Sequence, residues 1–164
     1  MGGKALGGLR VPRNQAVDLF NSIKNELEGK FSELHLCGSA RRLKETCGDI
    51  DIVFIDNENN EVKEWLSENF GTQKNGKPKR TGLMNGIQVE FYEATSETLG
   101  SNILMWTGPA GSNVRMRRIC KKRGFKMSQY GIKNENGENL TSKMNEQQIY
   151  NFLGLNYVEP QNRK

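Results

Sequence analysis

Two aspartates interrupt an otherwise apolar run, Gly48-Asp49-Ile50-Asp51-Ile52-Val53. Side chains two apart on a strand point to the same face, so Asp49 and Asp51 stand side by side, with Ile50 and Ile52 on the other face. Carboxylates that close raise one another's pKa unless a cation sits between them. Oxygen ligands of this kind suit a hard divalent cation, Mg²⁺ with Mn²⁺ as a substitute. Glu90 repeats the anomaly within Gln88-Val89-Glu90-Phe91. Three acids on neighbouring strands can hold two divalent ions roughly 3.5–4 Å apart, the geometry of in-line phosphoryl displacement. Glu93 competes with Glu90 for the third place, and periodicity alone does not separate them.

Gly38-Ser39 adds the second half of such a site. It follows a short apolar stretch, Leu34 to Cys37, and lies ten residues before Asp49. Glycine lets the backbone approach a phosphate closely, Ser39 offers a hydroxyl and an amide, and a following helix start favours an anion. Arg41 and Arg42 come next, and an arginine fork matches phosphate oxygens bidentately.

The elements that must position these residues can be read from spacing. Val11-Pro12 reads as a helix start, and Ala16, Phe20, Ile23, Leu27 and Phe31 then repeat as one helical face. Leu34 to Cys37 and Ile50 to Ile55 read as strands, and Val62, Trp65, Leu66 and Phe70 as the core face of a helix. Leu83-Met84 and Ile87 to Tyr92 are two strands joined through Asn85-Gly86, a strong hairpin signal. Helical patterns cover Ser96 to Trp106, Asn113 to Arg123 and Asn145 to Leu153. Phe125 to Ile132 and Glu138 to Leu140 read as a small sheet. The pattern is mixed α/β, with a shift in composition near Gly108 to Gly111.

Composition bounds the alternatives. The chain has 164 residues, 35% hydrophobic and 26% charged, with seven Phe, four Tyr and two Trp to build a core. No stretch approaches the roughly 20 apolar residues that span a bilayer. The start, Met1 to Leu6, lacks the apolar run of a signal peptide, and three cysteines suit a reducing compartment, so an intracellular location is expected. Net charge is +5 but uneven: from Ser112 onward eleven Lys or Arg face four Glu, whereas residues 1–111 hold thirteen basic and fifteen acidic residues. A basic C-terminal third beside an acidic body suits a polyanion held next to a metal site.

The run from Cys37-Gly38-Ser39-Ala40-Arg41-Arg42 to Gly48-Asp49-Ile50-Asp51 closely resembles the nucleotidyltransferase signature of the family X DNA polymerases, the polymerase-beta group. Arg10-Val11-Pro12-Arg13 resembles the start of that family's palm. Trp106-Thr107-Gly108, Asn113, Arg117, Gly124-Phe125 and Gln129-Tyr130 resemble its nucleotide-selecting subdomain, and Tyr157 to Arg163 its terminal segment. The resemblance implies an α+β fold: a palm over residues 1–108, with a mixed sheet and flanking helices, and a small C-terminal α/β nucleotide-selecting subdomain over residues 109–164. It is similar to the minimal viral members, and no deoxyribose-phosphate lyase activity is expected, since no lyase lysine has a counterpart.

Residue roles follow from the same resemblance. Asp49, Asp51 and Glu90 would hold two Mg²⁺ ions, Glu90 standing where the family usually has Asp and Gln88 where polymerase beta has an arginine. Gly38, Ser39, Arg42 and Gly48 would hold the triphosphate. Met105 and Trp106 replace a Tyr-Phe pair that packs against the sugar, and Gly108-Pro109 falls where the family has a cis peptide. Asn113 and Arg117 would face the nascent pair. The implied activity is template-directed addition of dNMP to a primer 3′-hydroxyl on gapped or primer-template DNA, by a monomer. A template-independent or RNA or small-molecule nucleotidyltransferase is one alternative, and a non-catalytic DNA-binding module another.

The remaining polar residues divide between structure and DNA. Lys74, Lys77, Lys79 and Arg80 read as a loop touching the DNA backbone. Arg115, Arg118, Lys121, Lys122 and Arg123 crowd one helix, too many for its dipole alone, and read as phosphate contacts. His35 is expected as a structural histidine of a core strand, and Cys37 and Cys47 as buried thiols.

Overall fold

The computed structural model describes residues 6–164. The reading of the N-terminus as lacking a signal peptide's apolar run therefore falls, for residues 1–5, outside the described residues. At Asn85-Gly86 the chain turns back as its sequence predicts, joining β5 (Thr81–Met84) to β6 (Ile87–Glu93). Asn85 and Gly86 have φ of 51° and 76°, the left-handed pair that suits a tight hairpin.

Two further strands, β2 (Phe31–Leu36) and β4 (Asp49–Asp56), complete a four-stranded sheet in the order β2-β4-β6-β5. The β4–β6 pair is parallel and the other two pairs are antiparallel. A parallel pair needs a crossover, and α3 (Glu61–Phe70) supplies it. Alternation along the strands then sorts the side chains. Ile50, Ile52, Phe54, Val89 and Phe91 face α3 and α1 (Arg13–Glu26) and form the larger core. Phe91 lies 5.7 Å from Trp65 and 6.0 Å from Phe70, centroid to centroid, so Trp65 and Phe70 are core residues as their spacing predicts.

The opposite face carries Asp49, Asp51 and Val53 from β4 and Gln88, Glu90 and Tyr92 from β6. Across it lies α4 (Leu99–Thr107), packed through Leu99, Ile103 and Trp106. Leu104 and Met105 of the same helix turn away into a second core. That core is built by α5 (Ala110–Lys122), the short hairpin β7 (Lys126–Ser128) and β8 (Gly131–Lys133), and α6 (Glu146–Phe152). At Gly100 of α4, an added Cβ would stand 1.9 Å from the Met144 carbonyl oxygen, so only glycine permits this approach. The sheet flanked by helices and the smaller helix-rich unit give the expected α+β architecture.

Local boundaries differ from the expectations in instructive ways. Val11–Pro12 is a short strand, β1, paired with β3 (Thr46–Cys47), and the helix begins one residue later at Arg13. In the expected small sheet, the chain after Phe125 folds back at Gln129-Tyr130, so that β7 and β8 pair with each other, and Gly131 has φ of 131°. Residues 138–140 contribute one bridge, Asn139 to Lys133, not a strand. α4 starts at Leu99, later than Ser96, and α5 starts at Ala110, after a cis Gly108–Pro109 bond and earlier than Asn113. His35 is half-exposed on the edge strand β2 and bonds to Glu33 at 3.0 Å, so it is not a core residue. Cys37, Cys47 and Cys120 are free and buried. Among the described residues, no helix is long and apolar enough to cross a membrane.

Candidate active site

The parallel register sets Asp51 beside Glu90 and Asp49 beside Gln88. One carboxylate oxygen from each of Asp49, Asp51 and Glu90 falls within 4.8 Å of the others. Glu93 points to the other face, where its carboxylate accepts from Lys63 Nζ at 2.7 Å. The structure therefore separates the two rivals for the third position. Both oxygens of Glu90 are held: Oε1 accepts from Gln88 Nε2 at 2.8 Å, and Oε2 accepts from the Tyr92 hydroxyl, which also reaches Asp51 Oδ1 at 3.4 Å.

Electrostatics mark this cluster as unbalanced. Burial and then the charge of Glu90 push the Asp49 carboxyl up to about 6, although Arg10 and Arg42 pull against that. Burial and the charge of Asp49 raise Asp51 well above the ordinary carboxylate range. Tyr92 is raised too, by burial and by Asp51, so its phenol stays protonated as a donor. Three partly buried carboxylates crowded together offer the hard oxygen donors of a divalent-ion site.

Beside the acids the chain leaves β2 and turns sharply into α2 (Gly38–Arg41). Gly38 has φ of 63°, and an added Cβ there would stand 2.2 Å from Asp51 Oδ2. Only glycine lets this turn pass so close to the second aspartate. The turn borders a cavity of about 560 Å³ lined by Gly38, Ser39, Arg42, Gly48, Asp49, Asp51 and Trp106, and also by Arg10, Lys44, Glu45 and Thr46. Arg42 donates to the Thr107 carbonyl at 2.6 Å, while its buried Nε has no partner. Burial lowers the Arg42 pKa against the pull of Asp51, so a bound anion would restore its lost solvation.

Trp106 forms part of the cavity wall and stacks on Tyr92 with centroids 3.8 Å apart and planes 8° apart. The other residues expected near the nucleotide are placed differently. Met105 is buried in the second core and does not line the cavity. Asn113 is buried and donates to the Met105 carbonyl at 2.9 Å, leaving its own Oδ1 unpartnered. Arg117 is exposed and reaches Met105 Sδ at 3.2 Å. Gly108 follows α4 immediately, as its C-terminal residue.

Cations expected on DNA form two exposed sets. Lys74, Lys77, Lys79 and Arg80 lie on the loop before β5. On α5, Arg118, Lys121 and Lys122 are exposed, whereas Arg115 donates to the Lys164 carbonyl and Arg123 to the carbonyl of Leu153 at 3.0 Å. Arg41 is turned from the cavity: it donates to Thr107 Oγ1 at 2.7 Å and to both Glu146 oxygens. Burial alone would lower its pKa, but Glu146 outweighs burial and holds it raised.

Three contributors carry no site role in the sequence reading. Tyr92 sits two residues beyond Glu90 on the same face, and the period-2 rule could have found it. Arg10 and Lys44 reach the cavity from just before β1 and from the turn before β3, and no periodicity signals that.

Comparison with known proteins agrees with this geometry. Residues 10–102 match the DNA polymerase beta palm model and residues 102–164 the DNA polymerase beta thumb model. The chain is 27% identical over 94% of its length to a "DNA polymerase/3′-5′ exonuclease PolX" of Bacillus subtilis, of which it spans 29%. It is 28% identical to a "Repair DNA polymerase X" of African swine fever virus, covering 77% of this chain and 78% of that one. A crystal structure of Leishmania infantum polymerase beta in a ternary P/T complex superposes over 95% of the chain and 77% of its own, with a TM-score of 0.68 at 19% identity, and shares its fold. The chain, with both its palm and its thumb matched, therefore belongs to the family X DNA polymerases.

Proposed function

We propose that the protein is a template-directed DNA polymerase that transfers dNMP from a dNTP to a primer 3′-hydroxyl and fills short gaps in DNA repair. The observation that carries this reading is that two of the three clustered carboxylates, Asp49 and Asp51, line a cavity together with Arg10, Arg42 and Lys44. Acids alone would suit many metal sites. Acids and cations lining one glycine-turned cavity suit a nucleoside triphosphate with its metal.

Asp49, Asp51 and Glu90 are the residues that would hold two divalent ions, Mg²⁺ or Mn²⁺, which when bound would lower the primer hydroxyl's pKa and neutralise the triphosphate. The chain's own work is position and charge. Ser39 and the Gly38 turn offer hydrogen bonds to phosphate oxygens, and Arg42 and Arg10 offer charge. Trp106, fixed by its stack on Tyr92, gives the sugar a flat wall. The relatives' names, a viral repair polymerase among them, support DNA as the substrate. The exposed cations on the loop before β5 and on α5 supply backbone contacts for gapped DNA.

The test is primer extension on a one-nucleotide gap, with each dNTP supplied separately and Mg²⁺ or Mn²⁺ present. Incorporation should follow the templating base. Untemplated addition, or extension only on RNA, would replace this reading with another nucleotidyltransferase activity; no incorporation with either metal would overturn it.

A further inference from the structure

The segment from Leu6 to Arg10 runs over the start of β6 and is tied down at several points. Leu9 N–H donates to the Gly86 carbonyl at 2.8 Å, and Leu6 N–H donates to Gln88 Oε1 at 3.2 Å. Gly8 lies so near that an added Cβ would stand 2.9 Å from the Gln88 backbone nitrogen and 3.0 Å from its Cβ. Arg10 anchors the far end, donating to Thr46 Oγ1 at 3.1 Å.

Gln88 is fully buried, and its other end, Nε2, donates to Glu90 Oε1. A carboxamide has one accepting and one donating end. Turned over, this one would set its carbonyl against a carboxylate and its NH₂ against a backbone N–H, and both contacts would be lost. The Leu6 N–H thus selects the orientation in which Gln88 grips Glu90. Glutamate has one more rotatable bond than aspartate, so fixing it costs more side-chain entropy, and an outer partner gains in importance.

We propose that Leu6–Arg10 is a latch that orients Gln88, making Gly8 and Gln88 positioning residues for Glu90 as a divalent-ion ligand. This rests on the metal reading above. The closeness of Gly8 gives it a specific signature: a side chain at position 8 must lift the segment from β6, and the double variant tells whether it acts through Gln88 or through Arg10 beside Asp49.

The experiment titrates the full chain with Mn²⁺ alone, reading free Mn²⁺ by electron paramagnetic resonance, with thermal unfolding of each variant recorded beside it. Gly8→Val and Gln88→Leu should each weaken binding by about tenfold, the lower end of what losing an outer partner of a metal ligand costs. The double variant should bind no more weakly than Gln88→Leu alone, because the two act through one contact. Leu6→Pro removes one donor at an exposed position and should weaken binding less, which keeps the test open should Gly8→Val fail to fold. Additive effects in the double variant, or Mn²⁺ affinity in Gly8→Val and Leu6→Pro equal to wild type, would overturn the latch and leave the metal reading standing. Equal Mn²⁺ binding by wild type and Asp51→Asn would overturn both.

Discussion

Arg41 and Glu146 meet through two side-by-side hydrogen bonds of 2.9 and 2.6 Å, joining the palm's short helix α2 to the first turn of the thumb's helix α6. Glu146 also accepts from Arg163 Nη1 at 2.7 Å, and the Arg163 side chain is wholly buried. One carboxylate therefore holds two guanidinium groups. Removing it should cost more than removing either cation. Glu146→Ala leaves Arg41 and Arg163 facing each other without an anion and should destabilise by about 3–5 kcal/mol, the range for breaking a buried pair. Arg41→Ala keeps the Arg163 partner and should cost roughly 1.5–3 kcal/mol. Urea midpoints of the two variants decide it, and a larger loss in Arg41→Ala would contradict the shared-anion arrangement.

Glu90 and Glu93 offer a second contrast, three residues apart on opposite faces of β6. Glu90→Gln should remove most primer extension in a single-turnover assay at saturating dNTP. Glu93→Gln breaks only a partly exposed contact to Lys63 and should leave extension within about threefold of wild type, since such pairs contribute about 0–1 kcal/mol. Glu90→Asp should fall between them: it keeps the charge but withdraws it from Gln88 and Tyr92.

Arg42→Ala should raise the dNTP concentration needed for half-maximal rate by about ten- to hundredfold, matching roughly 1.5–3 kcal/mol for a charge-assisted contact. Gapped-DNA affinity measured without nucleotide should stay the same. Arg42→Lys should restore little, because an ammonium cannot hold the Thr107 carbonyl and present a second planar donor edge to phosphate. Unchanged nucleotide dependence would place the triphosphate elsewhere.

Metal and pH are linked through Asp49 and Asp51. In metal-free protein both carboxyls are raised above their ordinary 3.8, Asp49 to about 6. The folded state therefore retains protons that the unfolded chain releases, and their contribution to stability falls as pH rises from about 4 through the folded values. Asp49→Asn should remove part of that fall, so its thermal midpoint relative to wild type should climb between pH 4 and pH 7. Mn²⁺ binds the deprotonated acids and should stabilise wild type more at pH 7.5 than at pH 5. A pH-independent difference between wild type and Asp49→Asn would show the cluster is not strained.

The parts of this site legible in sequence are those governed by local rules. Period-2 alternation places Asp49 with Asp51, and Asn85-Gly86 announces its own turn. The parts that were not legible depend on distant segments. Neither Leu6 nor Gln88 carries a sign of the other, 82 positions away, and Arg41 reads as a phosphate ligand until Glu146, 105 positions on, is seen to claim it. Met105 and Asn113 are helical residues whose spacing allows either face, and packing decides for the interior. The small sheet after Phe125 is legible, but not its strand division: both of its strands fall before Asn134, and Gly131 has a φ of 131°.

Helix α4 serves two cores at once. Ile103 and Trp106 pack on the palm sheet, while Leu104 and Met105, one helical step away, belong to the thumb. The two family matches meet inside this helix, at residue 102. A chain so built resists dissection. A fragment ending before α4 would strip the palm sheet of its cover beside Tyr92, and one ending after it would leave Leu104 and Met105 in water with no thumb to receive them. Each half draws on this helix for its packing, so any minimal version of this chain must keep the helix and both of its neighbours.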